Sequence, residues 1–148
     1  MFGFDISAGD INADGYADVA VGVPGEDVKA GTKNVEDAGS VVILKGAKGG
    51  LSGTGAQAFT QSAKGVPGAS EKDDRFGTRV LLSDLNGDKK ADLTVAAPWE
   101  DGTVLNSGAA WVFKGSATGV TTSGATSFGP AALGAPEKGA RLGERLAR

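Results

Sequence analysis

Asp10, Asn12, Asp14 and Asp18 stand at positions 1, 3, 5 and 9 of one short segment, and Asp84, Asn86, Asp88 and Asp92 repeat that spacing further along. Oxygen side chains that alternate along a tight turn can face one centre. Ca²⁺ takes six to eight hard oxygen ligands at about 2.3–2.6 Å, and such a turn supplies them. Position 7, Tyr16 or Lys90, would add a backbone carbonyl. The pattern is not an EF-hand, because position 12 falls on Val21 or Val95 where that loop needs a bidentate Glu. Asp18 and Asp92 are expected to take its place. Asp, Asn and Gly also favour turns that hold no metal. Two segments with one spacing, in register within a repeat, favour the metal, at two Ca²⁺ per chain.

The two segments are expected to differ. Gly15 at position 6 of the first allows left-handed backbone, whereas Lys89 in the second costs roughly 1 kcal/mol there. Lys89 and Lys90 also set two positive charges beside the cation. The first segment should therefore bind more tightly. Six Asp in the two segments, against a net charge of −3 for all 148 residues, concentrate the negative potential there; two Ca²⁺ would take the formal charge from −3 to +1.

Other reactive chemistry is sparse. The chain has no Cys and no His. That excludes a disulfide framework, a thiol nucleophile, the usual zinc sites and a Ser-His-Asp triad. Asp73 and Asp74 form a pair of carboxylates of the kind used in glycoside hydrolysis. The acidic balance argues against a nucleic-acid binder led by a basic surface. Residues 115–136 are uncharged but rich in Gly, Ser and Thr, so no membrane span is expected. Met1-Phe2-Gly3-Phe4-Asp5 lacks the basic start and apolar run of a signal peptide, which a secreted parent would have lost. Gly53-Thr54-Gly55-Ala56-Gln57-Ala58 has a GxGxxA spacing but sits in a Gly-rich turn, without the strand and helix that a dinucleotide site needs. Neither an Arg-Gly-Asp sequence nor a glycosylation sequon is present.

The elements that must position the acidic segments are repeated with them. Phe2-Gly3 returns as Phe76-Gly77, Asp10–Asp14 as Asp84–Asp88, and Ala17–Pro24 as Ala91–Pro98, all 74 residues on. Gly39–Gly46 then matches Gly108–Gly115, and Phe59 matches Phe128, at an offset of 69. Another copy begins at Leu142-Gly143. The units are taken as 1–75, 76–141 and 142–148, the last a possible closing strand. Each reads as short strands. Residues 41–44 and 111–113 are β-branched and aromatic runs bounded by Gly. Residues 19–23 and 93–97 are similar runs ending at Pro, while 2–8 and 77–83 lead into the acidic segments. Residues 56–62 and 125–128 are weaker candidates for a fourth strand, and the Ala-containing tail 136–148 is the main alternative for a helix. Four short strands per unit is the composition of a propeller blade, which stacks on its neighbours to bury its faces. Trp111 is expected in the core and Trp99 in blade packing. The polar insertion 26–37 is expected to be a solvated loop, and Arg141, Arg145 and Arg148 a solvated or strand-edge feature.

These residues resemble the FG-GAP repeat, the blade unit of the integrin α-subunit β-propeller. Phe2-Gly3 and Phe76-Gly77 match its FG element. Gly22-Val23-Pro24 and Ala96-Ala97-Pro98 stand where the family has Gly-Ala-Pro, and the acidic segments match its calcium loop between the first two strands of a blade. The resemblance implies an all-β chain: two FG-GAP propeller blades of four strands plus the first strand of a third. It implies Ca²⁺ at the two acidic loops, bracing them rather than catalysing. Family propellers have about seven blades, and two cannot close a ring. Either the blades belong to a longer propeller or copies assemble, three giving six blades and four giving eight. The expected function is a calcium-stabilised, non-catalytic, extracellular or cell-surface module for adhesion or ligand binding, its partners itself as a trimer or tetramer and a protein or glycan ligand. The alternatives are an accessory or catalytic domain of an extracellular hydrolase and a pure self-assembly scaffold.

Overall fold

The repeat in the sequence becomes a repeat of sheets. The computed structural model describes residues 1–146. The first four-stranded sheet has the order β1-β2-β5-β6, made of β1 (Ile6–Gly9), β2 (Asp18–Val23), β5 (Ser40–Ala47) and β6 (Gly50–Phe59). The second runs β7 (Arg79–Ser83), β8 (Asp92–Ala97), β9 (Ala109–Ser116) and β10 (Gly119–Phe128) in the same sequential order. Every pairing within them is antiparallel. The chain is all-β, and its sheets are those of propeller blades.

β-branched runs form the inner strands because both their faces are covered. Ala20, Val41, Ile43 and Phe59 of the first sheet join Val80, Leu82, Leu93, Val95, Trp111 and Phe113 of the second in one core, with Ile11 and Phe76 between them. Trp111 is buried, and its indole N–H donates to the Pro67 carbonyl at 2.9 Å. The Phe76 ring meets Trp111 edge-on at 5.2 Å.

The glycine beside Phe76 has a different task. Phe76 forms a parallel bridge to Gly39 of the preceding unit. Gly77, at φ +90°, passes so close to that unit that a Cβ would lie 2.4 Å from the Ser40 carbonyl oxygen. Gly22 faces it from β2, where a Cβ would lie 2.0 Å from the Gly77 carbonyl oxygen. Leu142 makes the same parallel bridge to Gly108 of the second unit. Residues 147–148, the end of the expected closing strand and the site of Arg148, lie outside the described residues.

Two expectations need correction, and two others gain detail. The fourth strands are ten residues each and begin at Gly50 and Gly119, well before 56 and 125. Two-residue turns after Ala47 and Ser116 start them, and each carries a register irregularity. The insertion 26–37 is not a plain solvated loop: β3 (Val28–Ala30) and β4 (Lys33–Val35) pair as a hairpin, and Val28 is buried. The described part of the tail is not helical; the one short 3₁₀ turn lies earlier, at Pro130–Leu133, where Pro at its start has no N–H to satisfy. Trp99 is half-buried between the Arg75 and Arg141 guanidinium groups, 5.0 and 5.9 Å from its ring. It joins the segments that lead into Phe76 and Leu142, so Arg141 is a stacking partner as well as an exposed charge.

Candidate metal-binding loops

Both acidic segments are the connections between the first two strands of a sheet, β1 to β2 and β7 to β8. They lie side by side: Ala91 N–H donates to the Asp10 carbonyl at 2.8 Å. Within the first, the Asp10 carboxylate accepts Asp14 N–H at 3.1 Å and Gly15 N–H at 2.8 Å. Asn12 Oδ1 also accepts Asp14 N–H, and Asp14 accepts Tyr16 N–H at 2.9 Å. The second repeats the arrangement, with Asp84 accepting from Gly87, Asp88 and Lys89, Asn86 from Asp88, and Asp88 from Lys90. The Lys89 N–H is the main reason the Asp84 carboxyl is held below the usual carboxylate range.

Position 9 is different. Asp18 and Asp92 are buried, and each ties its loop to the third strand of its own sheet. Asp18 accepts Ile11 N–H at 3.0 Å and Gly46 N–H at 2.8 Å. Asp92 accepts Leu85 N–H at 3.2 Å and Gly115 N–H at 3.0 Å. The carboxylates at positions 1 and 5 gather loop amides on the exposed side, while position 9 anchors the base.

The expected difference in strain disappears. Gly15 and Lys89 at position 6 both have positive φ, at +87° and +69°. Position 4 does too, with Ala13 at +59° and Gly87 at +80°. Each loop thus has one glycine and one non-glycine in the left-handed region. What remains to separate them is charge, since Lys90 Nζ lies 3.9 Å from Asp88 Oδ2.

Among the described residues no three acidic side chains converge as a ready metal cluster. Their oxygens are turned to the loop's own amides. The donor set still fits a hard cation, because a carboxylate oxygen that accepts one N–H keeps a second lone pair. The Tyr16 and Lys90 N–H groups are committed to Asp14 and Asp88, which leaves their carbonyls as the available donors.

The structure places Asp73 and Asp74 in different surroundings. Asp73 is exposed at φ +67°, while Asp74 is buried. Asp74 accepts Glu71 N–H at 2.7 Å, and Glu100, after β8, lies near enough for each carboxyl to affect the other's protonation. Burial raises both groups, Asp74 to about 6 and Glu100 to about 8. Gln61, fully buried after β6, donates from Nε2 to Glu100 Oε2 at 2.6 Å. The sequence reasoning missed Gln61 and Glu100. A signal existed for the second, since Glu100-Asp101 repeats Glu26-Asp27 at the offset of 74.

Two like antiparallel sheets, each carrying an acidic loop after its first strand and met by a parallel bridge from the next unit at Phe76 or Leu142, define a protein of the blade-repeat class. A family model of the FG-GAP repeat matches residues 2–44 and 76–113, so the chain belongs to the FG-GAP repeat family. It is 29% identical to integrin alpha-6 of Homo sapiens over 82% of this chain, and 31% identical to integrin alpha-V of Gallus gallus over 80%. It is 33% identical to phosphatidylinositol-glycan-specific phospholipase D of Bos taurus, again over 82%. The chain spans only 9%, 10% and 14% of those three relatives.

Proposed function

We propose that this chain is a calcium-stabilised, non-catalytic β-propeller module for adhesion or ligand binding, which self-associates to close its ring and works outside the cell or at its surface. The observation that carries the reading is the duplicated loop. Side-chain oxygens at positions 1, 3, 5 and 9 sit on the same β-turn-β connection in both sheets, anchored identically through Asp18 and Asp92. Hard oxygens from flexible side chains suit Ca²⁺. A cation there would neutralise carboxylates that are met mainly by backbone amides. The integrin relatives support an adhesive setting, and the best-placed acids are committed to the loops rather than to a reaction.

The match to a phospholipase supports a second reading, an accessory domain beside a catalytic one. Calorimetric titration of Ca²⁺ into EDTA-stripped protein tests the first. Two binding events that vanish in the Asp14→Ala/Asp88→Ala double variant, with the Asp10 loop the tighter, are expected. Heats that persist unchanged in that variant, or no loop-dependent heat at all, would reject calcium at these loops.

A further inference from the structure

The two acidic loops differ at position 4, and in each that position follows an asparagine. Ala13 follows Asn12 in the first loop, and Gly87 follows Asn86 in the second. Of the four asparagines only Asn86 precedes glycine; Asn34 and Asn106 precede Val35 and Ser107. Asn86 and Gly87 are both exposed, whereas Asn12 is half-buried. A backbone nitrogen can attack the side-chain carbonyl of the asparagine before it. Glycine obstructs that attack least, because it has no Cβ and its backbone turns freely. Asn86 Oδ1 accepts Asp88 N–H at 2.9 Å, which stabilises charge developing on that oxygen. Gly87 N–H meets Asp84 Oδ1 at 2.7 Å, an acceptor for the proton that the attack releases. In the first loop the Asp10 carboxylate accepts from Asp14 and Gly15.

We propose that Asn86 is a site of spontaneous deamidation, a slow one-way switch in the second loop. The Gly87 nitrogen bonds to Asn86 Cγ and the Cγ–Nδ2 bond breaks. The proton shed by Gly87 leaves with Nδ2 as ammonia, and a five-membered succinimide remains. Water then opens the ring at one of its two carbonyls, giving an aspartyl residue or an isoaspartyl linkage. Asn86 Nδ2 donates to Asp92 Oδ2 at 3.2 Å. Asp92 is buried, and it ties the loop to β9 through Gly115 N–H. A carboxylate at position 86 has no proton to give, so a donor facing Asp92 is replaced by a like charge. The isoaspartyl product also lengthens the main chain of the turn by one carbon. Both products loosen the second loop. The chemistry needs water but no metal, so it stands apart from calcium binding at the loops.

Peptide mapping of the full chain tests this. The protein is held in EDTA at mildly alkaline pH and body temperature, and trypsin then releases residues 80–89 by cleavage after Arg79 and Lys89. That peptide should gain one mass unit and split into aspartyl and isoaspartyl forms, at least tenfold faster than the peptide carrying Asn12. Gly87→Ala should slow the conversion at least tenfold. Conversely, in Ala13→Gly the left-handed backbone at φ +59° is relieved and Asn12 should begin to convert. Circular dichroism checks folding; if Gly87→Ala does not fold, Ala13→Gly carries the test. No mass gain at Asn86, an equal gain at Asn12 in the unaltered chain, or a full rate in Gly87→Ala would overturn the site. Asn86→Asp should lower the urea midpoint of the metal-free chain more than Asn12→Asp, whose amide meets the exposed Asp14 at 2.9 Å. Equal midpoints would overturn the switch.

Discussion

Asp18 shows how one carboxylate can brace a loop before any metal arrives. Its two oxygens take the N–H groups of Ile11 and Gly46, at opposite sides of the loop base. The side chain is 2% exposed, so water cannot replace it. Removing an acceptor from a buried N–H costs about 1–3 kcal/mol. Asp18→Ala should therefore lower the stability of the calcium-free chain by about 2–5 kcal/mol in urea unfolding, since two donors are orphaned. Asp14 sits on the exposed side, and Asp14→Ala should change metal-free stability by only about 0.5 kcal/mol while, under the proposed reading, removing most of any stabilisation by added Ca²⁺. Equal effects of the two changes in EDTA would show that position 9 is no more structural than position 5. Spacing along the chain located these acids but not the direction in which each carboxylate turns. It likewise found position 6 as a left-handed position and missed position 4, where Ala13 takes the strain that Gly87 avoids. It joined Asp73 to Asp74 because they are neighbours, although Asp73 stands in a turn with left-handed backbone at φ +67°. One is exposed and the other buried.

At the scale of elements, the Phe-Gly step does the sealing. Phe76 is fully buried between the sheets, and Gly77 lets two backbones approach. Phe2-Gly3, the same pair in the first unit, stands exposed with nothing within 4 Å of a Gly3 Cβ. The two pairs therefore give an internal comparison. Phe76→Ala should cost about 3–5 kcal/mol, as for a large core ring. Gly77→Ala should be severe, since its Cβ would meet the Ser40 carbonyl and its φ is positive. Gly3→Ala meets only the backbone penalty of about 1 kcal/mol. Urea unfolding of the three variants measures this, and similar losses at Gly77 and Gly3 would remove the close-approach argument. The inner strands β2, β5 and β9 were legible because Val, Ile, Phe and Trp mark them, and β8 because its Leu-Thr-Val run repeats β2. β6 and β10 were only half legible. Their first halves, Gly50–Gly55 and Gly119–Gly124, are Gly, Ser and Thr with few apolar residues, and pairing across a two-residue turn, not burial, makes them strands. The hairpin β3–β4 was hidden for the same reason, having Val28 as its only buried anchor.

For the whole molecule, the repeat predicts which faces are unfinished. Val80, Val95 and Trp111 form a row across the second sheet and pack against the first. Their repeat counterparts, Ile6, Val21 and Val42, form the same row across the first sheet. That row faces away from the second sheet, with Ile6 54% exposed and Val42 half-buried. On the far side of the second sheet Thr94, Ala110 and Val112 are the counterparts of Ala20, Val41 and Ile43. Two different faces are thus complementary by construction, so copies would join head to tail, a contact that closes into a ring when the rotation permits. Under the proposed reading, light scattering should give the mass of three or four chains, and a charge in the row should abolish it. Ile6→Glu with Val42→Lys alters two side chains outside the inter-sheet core, so the variant should keep its circular dichroism and run as a monomer. Calcium should leave that monomer unassembled, because the loops brace each sheet internally through Asp18 and Asp92 and do not supply the joining face. A wild-type chain that stays monomeric at tens of micromolar, or a variant that assembles as before, would place ring closure with other blades instead.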